Sequence, residues 1–494
     1  MSQINVSALT FAYDGCDNIF ENVNLQIDTN WKLGLIGRNG RGKTTFLNLL
    51  LGKYEHKGTI SAGVRFEYFP YEVSSKSMRT DEVIEEISPG YVQWELLREL
   101  SLLEVEESRL SCAFNILSDG EQTKVLLAVL FLKENGFLLI DEPTNHLDTY
   151  GRRIVRNYLD RKRGFILVSH DRAFIDGCID HVLSINRSTI EVQRGNFSSW
   201  AINRERQDKF ELTANEKLKG EIKRLTESAM RTANWSDKVE KTKYCTKDSE
   251  GKPDRGYIGH KSAKMMKRAI TLSKRREAAI EEKLGLLKNL EVAESLKITQ
   301  VSYHTDCFVA FKGVSIFYDG KAVCSNVDFS INKGERIALC GRNGSGKSSI
   351  IRLLCGENIA YSGNFRIGPR LKFSYVSQDT SFLNGKLSDY ALQNGLDESL
   401  FKAILRKLDF SRMQFENDVR NFSSGQKKKV LIAKSLCEKA HLLVWDEPLN
   451  FVDIISRIQI ENLLLAYIPT ILFVEHDELF CEKVATKKIS LSLG

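Results

Sequence analysis

The sequence predicts an α/β fold in which one domain is built twice, with a long antiparallel α-helical hairpin between the copies. Three observations predict it. Four motifs occur twice in the same order at offsets of 304 to 306 residues, which indicates tandem domains. In each copy, short apolar runs such as 31–37 and 336–341 lead into glycine-rich loops, as buried parallel strands do. Between the copies, apolar residues recur at helical spacing in a segment without those motifs.

These patterns divide the chain into a first α/β domain over 1–200, a linker over 201–300 and a second α/β domain over 301–494. The 494 residues are 42% hydrophobic and 27% charged, a globular composition that excludes disordered and fibrous chains. No apolar run approaches the roughly 18 residues that span a bilayer, and no secretory signal is visible. We therefore expect a cytoplasmic protein without membrane contact. Ten cysteines without a CxxC pair argue against a zinc or redox site.

The first motif is a phosphate-binding loop, GRNGRGKTT from Gly37 and GRNGSGKSS from Gly341. Its glycines allow backbone N–H groups to surround phosphates at the start of a helix. The lysine would contact the β- and γ-phosphates, and the next hydroxyl, of Thr44 or Ser348, would bind Mg²⁺. A lone match could be a structural turn, but here the strand–loop–helix context occurs twice. The predicted phosphate-binding residues are Gly37, Asn39, Gly40, Gly42, Lys43, Thr44, Thr45, Gly341, Asn343, Gly344, Gly346, Lys347, Ser348 and Ser349.

Adjacent carboxylates follow an apolar strand in both copies, in DEPTNHLD at 141–148 and DEPLNFVD at 446–453. The Asp is placed to hold Mg²⁺ through water, and the Glu can orient or deprotonate the attacking water. A histidine after the next strand can hold that water and the γ-phosphate. A single Asp-Glu pair would usually be surface charge, and its recurrence favours catalysis. The predicted catalytic residues are Glu142, Glu447, His170 and His476, and the predicted metal-binding acids are Asp141 and Asp446.

A third motif, LSDGE at 117–121 and FSSGQ at 422–426, starts a helix with a Ser-x-Gly that offers a hydroxyl and N–H groups to a phosphate. It lies too far along the chain to serve its own phosphate loop. Together with the loops it resembles the signature of the ABC ATPases, so the chain resembles two tandem ABC-type P-loop ATPase domains. The resemblance implies head-to-tail pairing, in which each phosphate loop shares one ATP with the signature of the other domain. The implied signature residues are Ser118, Gly120, Glu121, Ser423, Ser424, Gly425 and Gln426.

The resemblance also implies roles for single residues. The chain departs from the family at Tyr71 and Asp119 of the first copy, and at Phe422 and Ser424, which stand at the usual Leu and Gly positions of the second signature. Tyr13 and Tyr318 match the adenine-stacking aromatic, although each alone could be an ordinary strand tyrosine, and Gln378 matches the glutamine that senses Mg²⁺ and nucleotide. In the first copy Tyr71 replaces that glutamine, and Asp119 replaces a signature glycine. A carboxylate at that point would repel phosphate. We therefore expect two sites that hydrolyse ATP with Mg²⁺, but unequally.

The linker carries the positive charge of the chain. Residues 201–290 hold 23 Lys and Arg against 14 Asp and Glu, a net charge of +9 where the whole chain has +7. The block 252–276 alone has nine basic residues and one acid. Such a block, with aromatic residues nearby, indicates RNA as partner, or otherwise the solvated face of an ordinary coiled-coil linker. The residues expected to contact the partner are Lys261, Lys264, Lys267 and Arg268.

With tandem domains, a charged two-helix linker and the run DEPTNHLD, the chain resembles the ABC-F proteins, which act on the ribosome and do not transport. WKLGLIGRNGRGKTT, GFILVSHDRAF, GNFS and WDEPLN look most like their antibiotic-resistance branch, and within it the Lsa-type group. That resemblance implies a monomer whose linker reaches rRNA and tRNA near the ribosomal exit and peptidyl-transferase sites and displaces lincosamides, streptogramin A and pleuromutilins. The alternatives are a housekeeping ABC-F translation factor and the ATPase partner of a separate membrane exporter.

Overall fold

The structure of the chain is a computed structural model. It describes residues 2–15, 17–133, 136–145, 147–186, 189–207, 301 and 303–491, with scattered positions between 209 and 227. The chain divides into two compact units, one formed by Met1–Trp200 with Ser295–Gly494 and the other by Ala201–Glu294. In the second unit the described residues are helical. Most of the predicted hairpin lies outside the described residues, as do Lys261, Lys264, Lys267 and Arg268.

The first half of the larger unit contains two sheets. β2, β1 and β4 form an antiparallel sheet in that order, and β5-β6-β7-β3-β8-β9 form a second sheet that is parallel except for the pair β8–β9. The strands are β1 (Gln3–Phe11), β2 (Phe20–Asp28), β3 (Lys32–Ile36), β4 (Lys57–Ala62), β5 (Arg65–Phe69), β6 (Gly136–Asp141), β7 (Phe165–Val168), β8 (His181–Asn186) and β9 (Thr189–Arg194).

The second half repeats this plan. Its antiparallel sheet has the order β11-β10-β13, and its parallel sheet has the order β14-β15-β16-β12-β17. The strands are β10 (Cys307–Tyr318), β11 (Lys321–Asn332), β12 (Arg336–Cys340), β13 (Ala360–Ile367), β14 (Phe373–Val376), β15 (Leu442–Asp446), β16 (Ile471–Val474) and β17 (Lys487–Ser490).

Helices connect and cover the strands. Among the described residues, no helix is both long and apolar enough to cross a membrane. The helices of the first half are α1 (Lys43–Leu50), α2 (Thr80–Ile87), α3 (Gln93–Leu102), α4 (Asp119–Leu130), α5 (Thr149–Asp160) and α6 (Arg172–Asp176). Those of the second half are α7 (Lys347–Leu354), α8 (Leu387–Gln393), α9 (Glu398–Lys407), α10 (Arg412–Glu416), α11 (Ser424–Cys437), α12 (Ile454–Tyr467) and α13 (Glu478–Val484).

The parallel strands are buried along nearly their whole length. Residues 137–140 of β6 and all of β15 are buried, because helices and the antiparallel sheet cover both faces. The predicted tandem α/β architecture is therefore confirmed. Parallel pairing also brings Asp141 beside Val168 and Asp446 beside Val474, at the carboxyl ends of the strands. The acidic motif and the histidine motif of each half thus meet at one edge of its sheet, where open α/β sheets bind ligands.

A buried ion pair joins the two halves. Arg172 at the start of α6 contacts Glu461 of α12, and their side chains are only 3% and 2% exposed. Arg172 Nη2 also lies 3.7 Å from Asp477 Oδ2. At the repeat offset, the counterparts of Arg172 and Glu461 are Glu478 and Arg156, so the charges are exchanged. These counterparts line a cleft between the halves.

Candidate functional site

The two phosphate loops connect a central strand to the helix that follows it, β3 to α1 and β12 to α7. Gly42 and Gly346, just before these helices, have φ of 89° and 84°, a left-handed conformation that favours glycine. A Cβ atom on Gly42 would lie 2.6 Å from Ile19 Cγ2, so no larger residue fits. Lys43 Nζ and Lys347 Nζ each donate to the first carbonyl of their own loop at 2.8 Å. Each loop therefore curls around its lysine, with the free N–H groups of the helix start beside it.

The residues predicted to bind Mg²⁺ lie next to one another in both halves. Thr44 Oγ1 donates to Asp141 Oδ2 at 3.1 Å, and Ser348 Oγ donates to Asp446 Oδ1 at 3.3 Å. Burial raises the pKa of both carboxyls. The hydrogen bonds from the hydroxyls stabilise the ionised forms and offset part of this rise. Tyr68 Oη adds a second bond to Asp141 at 3.2 Å. A hydroxyl and a carboxylate oxygen at each site fit Mg²⁺, which prefers oxygen ligands.

In the second half, three side chains surround the carboxylate of Glu447. Gln378 Nε2 donates to Oε2 at 2.8 Å and Asn450 Nδ2 donates to the same oxygen at 2.6 Å. His476 Nε2 lies 3.5 Å from Oε1. Burial alone would raise the pKa of Glu447, but His476, Lys347 and nearby charge hold it below its ordinary value. This carboxylate is ionised and fixed in place.

In the first half, the carboxylate of Glu142 is in a different state. Both of its oxygens are buried, and among the described residues no side chain donates a hydrogen bond to either, although the backbone N–H of His170 interacts with the carboxylate and favours its ionised form. His170 Nε2 lies 3.4 Å from Oε1, and burial lowers the pKa of His170, which keeps the ring neutral. Burial and the charge of Asp141 raise the pKa of Glu142 to about 7. Glu142 and Glu447 share a left-handed φ, 51° and 47°, so they differ in their surroundings and not in backbone conformation.

The tyrosine that stands at the position of the nucleotide-sensing glutamine in the first half contacts Glu67 and Lys133. Tyr71 Oη donates to Glu67 Oε2 at 3.4 Å. Lys133 Nζ lies 4.9 Å from the centre of the Tyr71 ring and 2.8 Å from Glu67 Oε2. At this position the second half has Gln378, whose amide donates to Glu447. The first half has Tyr71, which contacts Glu67 and Lys133 instead.

The first phosphate loop lies against the second signature. Asn39 Nδ2 donates to Phe451 O at 2.8 Å, and it would lie 2.7 Å from a Cβ atom on Gly425. Arg38 forms an ion pair with Asp409 on the same side. The structure thus brings the loop of one half to the signature of the other. At the start of α11, Ser423 Oγ accepts from Gln426 N at 3.3 Å, so the signature serine caps its helix.

The second phosphate loop meets the first half through residues just beyond its acidic motif. Asn343 N lies 3.4 Å from Asp148 Oδ2, and the Arg342 guanidinium lies 4.8 Å from the centre of the Tyr150 ring. The first signature also caps its helix, since Ser118 Oγ accepts from Glu121 N at 3.3 Å. The neighbouring Asp119 is exposed.

The remaining predicted residues lie around the loops. Tyr13 is 41% exposed, and its Oη is 3.0 Å from Thr45 Oγ1, so this tyrosine lies beside the first phosphate loop. Tyr318 is 40% exposed at the end of β10, where its backbone pairs with Lys321. Gly37, Gly40 and Gly344 belong to the loops themselves, Ser349 follows Ser348 in α7, and Ser424 and Gly120 lie in the first turns of α11 and α4.

Some residues at the sites were not predicted from the motifs. Lys429 Nζ donates to Asp453 Oδ2 at 2.7 Å in a buried pair, and the charge of Asp453 acts on Lys43 of the other half. Asp148 and Asp453 each end the acidic motif, so their repetition at the common offset could have marked them. Asn450 lies inside the same motif. Lys429 carries the same signal, since its counterpart at that offset is Lys124, which is less buried.

Comparison with known proteins gives one family and several similar chains. The family described as ABC transporter matches residues 20–145 and 324–450, the two segments from before each phosphate loop to the acidic motif. Ribosome protection protein VmlR of Bacillus subtilis (strain 168) is 27% identical over 500 residues, which cover 96% of this chain and 84% of that protein. The erythromycin resistance ATP-binding protein MsrA of Staphylococcus epidermidis is 27% identical over 480 residues, covering 93% and 92%.

Two further similarities bear on translation and on fold. The energy-dependent translational throttle protein EttA of Haemophilus influenzae is 23% identical over 524 residues, which cover 95% of this chain and 88% of that protein. Among solved structures, the archaeal ribosome recycling factor aABCE1, in complex with the archaeal ribosomal stalk protein aP1, superposes with a TM-score of 0.63. It is 19% identical and covers 98% of this chain and 87% of its own, so it supports the fold alone.

Proposed function

The chain belongs to the ABC transporter family and is an ATPase, and on this premise we propose that it is an ABC-F protein that protects the ribosome from antibiotics at the peptidyl-transferase centre. The observation that carries the proposal is the combination of paired nucleotide sites with a linker of net charge +9 over 201–290. Two chains that resemble it along nearly their whole length are named for ribosome protection and erythromycin resistance.

The proposed reaction is hydrolysis of ATP at two composite sites. At each site the phosphate loop and its lysine bind the β- and γ-phosphates, with Tyr13 or Tyr318 against the adenine. Mg²⁺, held by Thr44 and Asp141 or by their counterparts, would neutralise charge that develops on the phosphate oxygens. Glu447 is ionised and hydrogen-bonded, which suits a base that orients water; Glu142 must first lose a proton near neutral pH.

We propose that the two sites lie within one chain, which acts as a monomer in the cytoplasm. The contacts of Asn39 with Phe451 and of Asn343 with Asp148 support intramolecular head-to-tail pairing. The signatures at Ser118–Glu121 and Ser423–Gln426 would each close over the γ-phosphate bound to the other half. Closure on ATP would then set the position of the linker, which leaves the first domain after residue 200.

The proposed partners are rRNA and tRNA near the ribosomal exit and peptidyl-transferase sites, contacted by the linker through Lys261, Lys264, Lys267 and Arg268. A cluster of lysine and arginine neutralises phosphates and makes binding salt-dependent. The drug classes proposed are the lincosamides, streptogramin A and pleuromutilins, as in the Lsa-type group. The name of MsrA makes erythromycin a necessary comparison drug.

A second candidate is a housekeeping translation factor, favoured by similarity to a translational throttle protein along 95% of the chain. Drug susceptibility separates the two. Expression of the chain in a sensitive host should raise the inhibitory concentrations of the proposed drugs, whereas a throttle factor should change growth without drug and leave those concentrations unaltered. The chain should also sediment with ribosomes and not with membranes, which tests the exporter alternative.

Replacement of the linker tip, residues 236–262, by a short Gly-Ser turn separates the linker from the ATPase. Basal ATP hydrolysis should stay within about twofold, since none of the nucleotide motifs lies in the tip, and protection should be lost. The control variant neutralises Lys261, Lys264, Lys267 and Arg268 at full length. It should weaken ribosome co-sedimentation and flatten its salt dependence. Full resistance with the tip replaced would contradict the proposal.

A further inference from the structure

Two buried charges of the second half have no assigned role in the reaction. Lys428 of α11 is 2% exposed, and Glu475, just after β16, is 6% exposed. At the repeat offset their counterparts in the first half are Thr123 and Ser169. Both positions therefore carry a hydroxyl in one half and a buried ionisable group in the other, one basic and one acidic.

Lys428 holds the backbone next to one partner of Glu447. Its Nζ donates to Ser377 O at 2.8 Å. The next residue is Gln378, whose side-chain amide donates to Glu447. A buried ammonium keeps such a bond because no water is available to replace it, so the ammonium restrains this loop.

Glu475 holds the backbone next to the other two partners. Its Oε1 accepts from Leu449 N at 2.7 Å, and its Oε2 accepts from His476 N at 3.2 Å. Leu449 precedes Asn450, the second amide donor to Glu447, and the His476 ring faces the other oxygen of Glu447. The three side chains around Glu447 are thus each anchored by a bond at their own backbone or at the residue before them.

Each of the two side chains lies near charges of opposite sign, which favour its ionised form. Lys428 lies among the carboxylates of Glu475, Glu447, Asp446 and Asp379, which oppose the lowering of its pKa by burial. Glu475 lies near the guanidinium of Arg457, which opposes the raising of its pKa by burial. A single buried charge is costly, whereas charges of opposite sign offset part of that cost.

The first half shows the arrangement without the two charges. Ser169 Oγ lies 3.0 Å from Thr144 Oγ1, and Thr123 Oγ1 donates to Asp119 O within its own helix at 2.8 Å. The Thr123 bond stays within its own helix, and the Ser169 bond reaches the side chain of Thr144, the counterpart of Leu449, and not its backbone N–H. There, among the described residues, no side chain donates a hydrogen bond to the carboxylate of Glu142.

We propose that Lys428 and Glu475 are positioning residues for ATP hydrolysis at the Gly341–Ser348 site, where they hold Gln378, Asn450 and His476 around Glu447. They do not touch the nucleotide in this role. The proposal rests on the proposed role of Glu447 and is independent of the ribosome.

The test measures turnover of the second site alone, in the full chain carrying Glu142→Gln. In this background Lys428→Thr and Glu475→Ser are introduced together, which gives the second half the residues of the first without leaving a lone buried charge. ATP hydrolysis is measured over a range of ATP concentrations, and thermal unfolding is recorded for each variant. We expect kcat to fall about ten- to a hundredfold while KM changes less than about threefold, because misplaced groups lower the rate of the chemical step.

Conservative and matched variants separate positioning from folding. Lys428→Arg keeps a buried cation and should retain most of kcat, and Ser169→Ala at the equivalent position of the first half should leave second-site turnover unchanged. The variant with both Glu142→Gln and Glu447→Gln must be inactive. Residual turnover in it would contradict the role of Glu447 in hydrolysis and would not test Lys428 and Glu475. With that control inactive, unchanged kcat in the Lys428→Thr/Glu475→Ser protein would overturn the proposal, as would a loss of thermal stability with kcat intact.

Discussion

The two nucleotide sites are made of the same motifs, yet their central carboxylates are in different states. Glu447 accepts bonds from two amide side chains, and its pKa lies below the ordinary value. Glu142 has the same left-handed backbone and a neighbouring histidine, yet among the described residues no side chain donates to it, and its pKa is about 7. Similar motifs therefore do not make identical sites, because different side chains reach the acid in the two halves.

The largest expected effect comes from removing both carboxylates. Glu142→Gln with Glu447→Gln should lower ATP hydrolysis about a hundredfold or more while ATP binding persists, since the phosphate loops remain. Of the single variants, Glu447→Gln should remove the larger share of turnover. Phosphate release and nucleotide binding measure the two properties. Equal losses from the single variants would remove the distinction between the sites.

The buried acid of the second half should show itself in the pH dependence of stability. Burial raises the pKa of Glu475 from 4.5 to about 7. Between these values the folded state binds more protons than the unfolded state, so the free energy of unfolding falls as the pH rises, by about 1.4 kcal/mol per pH unit at most. Glu475→Gln should remove this slope, whereas Ser169→Ala should keep it.

Denaturant unfolding of wild type and of both variants at several values between pH 5 and 7.5 provides the measurement. Glu142 contributes a similar slope to all three proteins and cancels in the differences. Parallel stability curves for wild type and Glu475→Gln would mean that the carboxyl titrates at its ordinary value.

Replacement of Gln378 by tyrosine, the residue of the first half, should make the second site behave more like the first. Gln378→Tyr removes an amide bond to Glu447, and in the Glu142→Gln background it should lower kcat about fivefold. Gln378→Glu has a similar size but offers no donor, and it should lower kcat further by repelling Glu447. An unchanged rate with Gln378→Tyr would show that Asn450 and His476 suffice to hold Glu447.

The smallest expected effect concerns the exposed carboxylate of the first signature. Asp119→Gly should tighten ATP binding at the Gly341–Ser348 site about threefold, since solvent screens the repulsion between the carboxylate and the phosphates. Asp119→Asn is the matched control, because it removes the charge and keeps a side chain. Nucleotide titration of both in the Glu447→Gln background tests this, and weaker binding by both would contradict it.

The fold and the composition of the sites were open to prediction from the sequence because their causes are local. A glycine such as Gly42 is required by its own backbone and by Ile19 nearby, and apolar runs ending in Asp141 or Asp446 form strands with buried faces. The motif repeat at a constant offset then predicted two such domains. The pairing of Asn39 with the second signature came from family resemblance, since the residues involved are about 400 positions apart.

The state of each carboxylate could not be predicted, because it depends on side chains brought together from distant segments. Tyr71 turns toward Glu67 and Lys133, a choice fixed by their charges and not by the motif. Lys428 and Glu475 likewise look like ordinary charged residues in the sequence. Only the folded chain brings them to the backbone segments that carry the partners of Glu447.

The buried pair between Arg172 and Glu461 bears on how the duplicated halves came to depend on each other. If two first halves paired in the same way, Arg172 of one would face Arg156 of the other, and two second halves would set Glu478 against Glu461. Both arrangements bury like charges, which costs far more than an exposed repulsion. Only unlike halves match at this position, so the buried charges favour pairing of the first half with the second over pairing of either half with a second copy of itself.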